Sequence, residues 1–235
     1  MTDLPQRTFA EMIGLLEETD EVLAETAQPG VLYVLYVIGG VAMGALFDAR
    51  MTQDVDVATA EIPPQVTKAA SVVAQRHNIA GNWINNQAAG FIEAELPPSA
   101  FDPLFEGRCL LVRGASARVL LALKLMSGRG RDIADIIELA DATGVRGRDA
   151  LIALCDEVFA DTGSYQFERD WIASVCTDIG SLLNRRRTGE NIVDAVAALA
   201  ADYDGAADPS IPGVSHATAH NQSSSASDSR MSTGR

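Results

Sequence analysis

The chain has 235 residues, with 18 Lys and Arg against 32 Asp and Glu, which gives a formal net charge of −14. Apolar residues make up 47% of it, a fraction typical of globular proteins that argues against disorder over the full length. The negative charge excludes a basic nucleic-acid-binding surface spread over the whole molecule. A polyanion would therefore have to meet a local basic patch or a metal ion.

The cysteine spacing and the length of the apolar runs indicate the cellular compartment of the protein. The three cysteines, Cys109, Cys155 and Cys176, are irregularly spaced and indicate neither a disulfide framework nor a zinc site. The first seven residues are polar, so we expect no leader peptide. The longest apolar run, 31–38, is far shorter than the roughly 20 residues that a membrane helix needs. These features predict a cytoplasmic protein without a membrane segment.

A helix and a buried strand are predicted first. Thr8 and Glu11 form a capping-box pattern, and apolar residues follow at helical spacing. This pattern predicts a helix over 9–26. Residues 31–38 are apolar on both faces and rich in β-branched side chains, which predicts a buried central strand.

The next segment predicts a turn, a helix, a strand and a further helix. Gly39 and Gly40 end the buried strand, and we expect a short helix over 41–49. Residues 52–57 alternate polar and apolar side chains, which predicts a strand with one polar face. Two prolines then begin a helix that continues to about residue 76.

The rest of the chain becomes helical. We expect a turn with a buried tryptophan at 83–86, then strands over 91–96 and 109–113. The predicted helices cover 117–126 with Ser116 as the cap, 132–142, 146–160 and 168–200, the last of them broken near Thr188-Gly189. Together these elements predict an α+β (α/β) protein with a small mixed sheet and a helical C-terminal half. The expected units are an N-terminal helix (8–28), a sheet-containing core (29–115), a helical region (116–204) and a disordered tail (205–235).

The stretch from Gly39 to Asp56 combines three features of a metal–nucleotide site. Paired glycines allow the backbone to approach a ligand, and a helix that begins there presents free N–H groups to an anion. Asp54 and Asp56, two residues apart on a strand, place both carboxylates on one face. Mg²⁺ is usually held by one or two carboxylates together with substrate phosphates. Each feature alone is more often a simple turn or a solvated strand face, but their order predicts a site for Mg²⁺ and a nucleotide.

These residues also resemble a known family. Gly39-Gly40 followed by Arg50-x-Thr52-x-Asp54-x-Asp56 is similar to the signature of the DNA polymerase β-like nucleotidyltransferase fold. The resemblance is closest to the AbiEii-type toxins of bacterial type IV toxin–antitoxin systems. Trp83-Ile84-Asn85 resembles the Trp-Leu-Asn turn of that branch, and 120–136 resembles its Leu-Leu-Ala-x-Lys-Leu…Arg-Asp-x-x-Asp-Ile block. The resemblance covers about 31–154.

The resemblance implies an enzyme that moves a nucleoside monophosphate from an NTP to a hydroxyl, with Mg²⁺ as cofactor. The implied acceptor is a tRNA 3′ end or a protein side chain, and an antitoxin is an implied partner. Asp54 and Asp56 would bind the metal and, with Lys124 and Asp132, form the catalytic set. The implied nucleotide-binding residues are Gly39, Gly40, Arg50, Thr52, Lys124 and Arg129, and Arg131 is a further candidate for the phosphates or the acceptor.

Two of these residues also have simpler interpretations. Lys124 lies in a leucine-rich helix, where a lysine often lays its stem over apolar surface and keeps its ammonium group in water. Asp132 and Asp135 share one face of a helix, and Asp132 is well placed to cap its N-terminus. Function and helix capping are equally compatible with the sequence at Asp132.

Two departures from the family pattern favour an alternative function. Gly40 stands where many active members have Ser. A third carboxylate, expected on the strand at 109–113, is absent from it, and Glu93, Glu95 or Asp132 could replace it. The alternative is therefore a weakly active or inactive member of the fold that binds a nucleotide or a partner protein.

Overall fold

A computed structural model describes residues 6–47, 50–89, 96–159 and 163–205, with the backbone alone described at 163–168 and 205. The strands are β1 (Arg7–Thr8), β2 (Tyr33–Ile38), β3 (Met51–Thr52), β4 (Val55–Val57), β5 (Ile84–Asn85), β6 (Phe101–Glu106) and β7 (Leu110–Ala115). The helices are α1 (Phe9–Thr26), α2 (Gly39–Leu46), α3 (Pro64–His77), α4 (Ala117–Ser127), α5 (Ile133–Thr143), α6 (Arg148–Phe159), α7 (Gly163–Arg187) and α8 (Val193–Gly205). The predicted α+β class is confirmed.

A five-stranded mixed sheet forms the centre of the fold, in the order β5-β4-β2-β7-β6. The apolar strand β2 is in the middle, as its composition predicts, with β7 parallel to it on one side and β4 antiparallel on the other. Strand β5 runs parallel to β4 at one edge, and β6 runs antiparallel to β7 at the other. A separate pair, β1 and β3, is antiparallel.

Helices cover both faces of this sheet because β2 is apolar on both faces. Leu35 and Val37 are fully buried in a cluster that includes side chains of α1 and α3. Ile38 belongs to a second cluster on the opposite face, which extends through α4, α5, α6 and α7. The helical C-terminal half is therefore packed against the sheet through a continuous apolar core.

Helix ends follow the sequence signals closely. The Thr8 hydroxyl accepts from the Glu11 N–H and the Glu11 carboxylate accepts from the Thr8 N–H, which confirms the capping box of α1. Ser116 caps α4, and Gly144 ends α5 in the left-handed region at φ +68°. Asp132, for which capping was one of two alternatives, occupies the N-cap position of α5, but its side chain makes no capping hydrogen bond.

The structure departs from the predicted elements at 52–57, at 83–86 and at 101–106. The strand expected over 52–57 is divided between β3 and β4, because Thr52 pairs with β1 while Val55 joins the main sheet. The residues at 83–86 contain strand β5 in place of a turn alone, although Trp83 is buried as expected. Strand β6 is not among the predicted elements, and it contains Pro103. The edge position of β6 tolerates that proline.

Parts of the sequence analysis fall outside the described residues. These are Glu93 and Glu95, most of the strand expected over 91–96, and the tail after residue 205. Within the described ranges, no helix combines the length and the apolar character that a membrane crossing needs.

Candidate functional site

The turn between β2 and α2 brings the backbone against the carboxylate of Asp56. Helix α2 begins at Gly39, which has φ +66°, a conformation that glycine adopts without steric cost. A Cβ at this position would lie 2.5 Å from Oδ2 of Asp56, so only glycine allows this approach. The N-cap residue, Ile38, has no polar side chain to cap the first turn. The positive end of α2 therefore faces an acidic group.

Asp54, Asp56 and Asn85 come together at the edge of the sheet. Asp56 on β4 pairs with Ile38 on one side and with Asn85 on the other. The amide of Asn85 donates to Oδ2 of Asp54 at 3.1 Å, and Asn85 lies beside Asp56, whose pKa it lowers. Its own oxygen accepts from the N–H of Gln87 at 3.0 Å. Although Asp54 precedes β4, the two carboxylates share one site, as their spacing predicts.

Burial and mutual repulsion disfavour the charged form of this carboxylate pair. Burial, and next the charge of Asp54, raise the pKa of Asp56 to about 6. Arg129, the Asn85 hydrogen bond and Arg131 act in the opposite direction and lower this pKa without restoring its ordinary value. A paired, partly buried carboxylate in this condition is typical of ligand sites and of catalytic sites.

The loop between α4 and α5 carries the two arginines that act on Asp56. Arg129 and Arg131 belong to the segment 128–131, which we call the arginine loop. A Cβ on Gly128 would lie 2.6 Å from the ring of Trp171 on α7, and a Cβ on Gly130 would meet the carbonyl of Ala200 on α8. The C-terminal helices therefore hold the arginine loop in place beside the carboxylates.

Lys124, Asp132 and Arg50 belong to a second group of charges. The Lys124 ammonium lies 2.6 Å from Oδ1 of Asp132 and 2.8 Å from Oδ2 of Asp135. Arg50 pairs with Asp135 and, at 3.1 Å, with Glu138. The side chains of Lys124, Asp132 and Asp135 are only 13–15% exposed. We call these five residues the Lys124 network, and its bonds join the start of β3 to α4 and α5.

The Lys124 network changes how its predicted site residues are understood. Lys124 does not extend an unpaired ammonium to water, because two carboxylates hold it. Asp132 also accepts from the Ser127 hydroxyl at 3.3 Å, so its side chain is committed within the network. The structure thus brings Gly39, Asp54, Asp56 and Arg129 together, while Lys124, Arg50 and Asp132 belong to the separate network.

The glycine at position 40 has a steric explanation. A Cβ there would lie 2.5 Å from Cβ of Thr52 and closer still to its hydroxyl. The hydroxyl of Thr52 in turn donates to the carbonyl of Asp54 at 3.0 Å. Thr52, a predicted nucleotide-binding residue, therefore shapes the turn that carries Asp54, and it fills the space that a serine at position 40 would need.

The donor set suits Mg²⁺ bound together with a substrate. Among the residues that the structure describes, no three His, Cys, Asp or Glu side chains form a group able to hold a metal. The two carboxylates are hard oxygen donors, as Mg²⁺ prefers, but they are too few for a site made by protein alone, since Asn85 turns its N–H₂ group toward Asp54 and its oxygen toward Gln87. The remaining positions would belong to phosphate oxygens and water. Asp54 and Asp56 therefore fit the metal role predicted for them.

Among the residues around Asp54 and Asp56, Asn85 and Arg131 are the ones that the sequence identified least clearly. Asn85 belongs to the Trp-x-Asn turn, yet no local pattern connects it to Asp54, which is distant in the chain. Asn85 lies beside Asp56, at a position where a carboxylate would supply a third metal ligand. Strand β7, where the third carboxylate was expected, carries no acidic residue.

Comparisons with protein-family models, with curated proteins and with solved structures give no match to this chain. The arrangement of the chain's own residues is therefore the basis for assigning it a function.

Proposed function

We propose that this protein is a Mg²⁺-dependent nucleotidyltransferase that moves a nucleoside monophosphate from an NTP to a hydroxyl acceptor. The observation that carries the proposal is the carboxylate pair, Asp54 and Asp56, beside the N-terminus of α2, where burial and the charge of Asp54 raise the pKa of Asp56. A divalent cation would neutralise this pair, and the free N–H groups of the helix favour the phosphates that accompany the metal.

Each residue has a defined task in this proposal. Asp54 and Asp56 hold the metal, and Asn85 orients both carboxylates through its amide. Gly39 lets the carboxylate of Asp56 lie against the backbone at the start of α2, while Arg129 and Arg131 bring positive charge to the phosphates. When bound, Mg²⁺ would stabilise negative charge that develops on the transferred phosphoryl group. The Lys124 network fixes α4 and α5, from which the arginine loop extends.

The toxin-like acceptors, a tRNA 3′ end or a protein side chain, are part of this proposal. Both the acceptors and an antitoxin partner are proposed because the sequence resembles the AbiEii-type toxins. The net charge of −14 requires a local basic surface for RNA, and the arginine loop supplies positive charge that acts on Asp56.

A second candidate is a nucleotide-binding protein without transferase activity. The observation that favours it is the absence of an acidic residue from β7, together with an amide, Asn85, at the position beside Asp56. Asp132 is also engaged by Lys124, so it would have to leave that ion pair to accept a proton from an acceptor hydroxyl.

One experiment separates the two candidates. The protein is incubated with Mg²⁺, total RNA and each NTP radiolabelled at the α-phosphate, beside the double variant Asp54→Asn/Asp56→Asn. The matched control is Asp102→Asn/Glu106→Asn, which removes the same charge from exposed positions on β6. Label in RNA or on protein that disappears only in the first variant supports transfer and identifies the acceptor.

The other outcomes are equally informative. Absence of label with Mg²⁺-dependent NTP binding by calorimetry would favour the second candidate. Absence of both label and binding would contradict both, and so would label that persists in the Asp54→Asn/Asp56→Asn variant.

A further inference from the structure

An exposed tryptophan lies directly beside the arginine loop. The chain has two tryptophans, and they differ in environment. Trp83 is 1% exposed and its indole N–H donates to the carbonyl of Ala70 at 3.0 Å, whereas Trp171 is 41% exposed. The exposed area of Trp171 is large for an aromatic side chain in a helix that is otherwise well packed, with Ile172 and Val175 buried next to it.

The position of Trp171 is fixed from two sides. One edge of its ring packs on Gly128, whose Cβ, if present, would lie 2.6 Å from Cζ2 and 2.9 Å from Nε1. The ring of Tyr203 lies 5.5 Å away between centroids at an angle of 54°, and the Tyr203 hydroxyl donates to Asp178 at 2.8 Å. A ring held in this way loses little conformational entropy when a ligand packs on it.

Charge complementarity connects this ring to a nucleotide. Arg129 follows Gly128 directly, and both Arg129 and Arg131 act on Asp56 through their charge. A phosphate group near these arginines would therefore leave the attached nucleoside close to Trp171. Bases stack on aromatic side chains beside cationic groups in proteins that bind nucleotides and single strands.

We propose that Trp171 is a stacking platform for a nucleobase whose phosphates lie between the arginine loop and the Asp54–Asp56 pair. This inference rests on the proposed function and deepens it by assigning a specificity-determining residue on α7. The base belongs either to the NTP or to a single-stranded RNA acceptor, since both present the same chemistry of phosphate and base.

Tryptophan fluorescence tests the proposal directly. A base stacked on Trp171 quenches its emission, whereas Trp83 is buried and does not respond. The probes are ATP, UTP, a short single-stranded oligoribonucleotide and inorganic tripolyphosphate, each titrated with Mg²⁺ into the full chain. Trp171→Leu removes the ring, Trp171→Phe retains a smaller one, and Trp83→Phe is the control that leaves Trp171 as the single tryptophan.

We expect quenching by an NTP or by the oligoribonucleotide, and much less by tripolyphosphate, which has no base. Trp171→Leu should weaken the binding of the quenching probe by about 5- to 100-fold and leave tripolyphosphate binding unchanged. Trp171→Phe should recover part of the affinity, which a loss of folding would not permit. Quenching by NTP assigns the base of the donor, and quenching by the oligoribonucleotide alone assigns the base of the acceptor.

Two results would overturn the inference while leaving the proposed function intact. They are equal NTP affinity in wild type and Trp171→Leu without quenching by any probe, or equal quenching by tripolyphosphate and NTP. Failure of the wild-type protein to bind any of the four probes by calorimetry would instead overturn the proposed function, and the inference with it.

Discussion

Two groups of charged residues flank the junction between the sheet and the helical half, and they differ in how their charge is balanced. In the Lys124 network, one ammonium lies between the carboxylates of Asp132 and Asp135, and Arg50 adds a second cation. In the other group, the amide of Asn85 donates to Asp54, and the charges of Arg129 and Arg131 act on Asp56. Each carboxylate of the first group lies in an ion pair with Lys124 or Arg50, whereas burial and the charge of Asp54 raise the pKa of Asp56 in the second group.

The difference indicates what each group does. Balanced, buried ion pairs fix the relative position of the elements that carry them, and breaking one leaves an uncompensated charge. A partly buried carboxylate with a raised pKa lowers the stability of the free protein near neutral pH, and a bound cation compensates for this loss. The strongest effects on folding should therefore arise in the Lys124 network, and the strongest effects of ligand in the acidic pair.

Removal of the ammonium from the Lys124 network should have the largest effect on stability. Lys124→Met should lower the free energy of unfolding by about 3–5 kcal/mol, because Asp132 and Asp135 then remain buried next to each other. Urea denaturation measures this change. In the double variant Lys124→Met/Asp135→Asn the loss should be smaller than the sum of the two single losses. Additive losses would contradict the network.

The steric contact between Gly40 and Thr52 should give the next largest effect. Gly40→Ala should destabilise the protein by about 1–3 kcal/mol, since the new Cβ overlaps the side chain of Thr52. Thr52→Gly removes that side chain, so the pair Gly40→Ala/Thr52→Gly should be less destabilised than the two single variants predict. Thermal unfolding of all four proteins measures the coupling, and a Gly40→Ala protein as stable as wild type would contradict the contact.

The acidic pair should respond to pH with the opposite sign from an ordinary ion-paired carboxylate. The pKa of Asp56 is about 6 in the folded protein against 3.8 for a free side chain, so the folded state binds more protons between these values. Its contribution is therefore fully present below pH 3.8 and is lost as the pH rises through about 6.

Asp56→Asn removes this dependence. The variant should be more stable than wild type by about 1–2 kcal/mol near neutral pH, after solvent screening of a partly exposed group is allowed for. At about pH 4 the two proteins should differ little. Urea unfolding at both pH values, with Asp102→Asn as the exposed control, measures the difference. A variant less stable than wild type near neutral pH would contradict the raised pKa of Asp56.

A third carboxylate beside Asp54 and Asp56 should increase the affinity of this site for Mg²⁺. Asn85→Asp places another acid beside Asp56 and removes the amide donor, so the melting temperature without metal should fall. Mg²⁺ should restore it and bind about tenfold more tightly than to wild type, because three carboxylates then face the ion. Differential scanning fluorimetry against Mg²⁺ measures both changes, with Asn86→Asp as the control one residue away. An unchanged response to Mg²⁺ would argue against metal at this edge.

Local signals in the sequence were sufficient for most of the secondary structure. The capping box of Thr8 and Glu11, the Ser116 cap and the Gly144 stop act through residues within one helical turn, so their outcome depends little on the rest of the chain. The pairing of Asp54 with Asp56 is equally local. Strand β6 has no such local signal. It forms because it pairs with β7, and this pairing accommodates Pro103.

The sequence by itself therefore determined the central strand, the glycine turn and the carboxylate pair, all of which follow from backbone preferences over a few residues. Only the tertiary structure decided that Asn85 lies against Asp56, that Lys124 binds Asp132 and Asp135, and that Trp171 packs on the arginine loop. These contacts depend on how separate elements pack, and their energies depend on burial and on neighbouring charge, which no short pattern encodes.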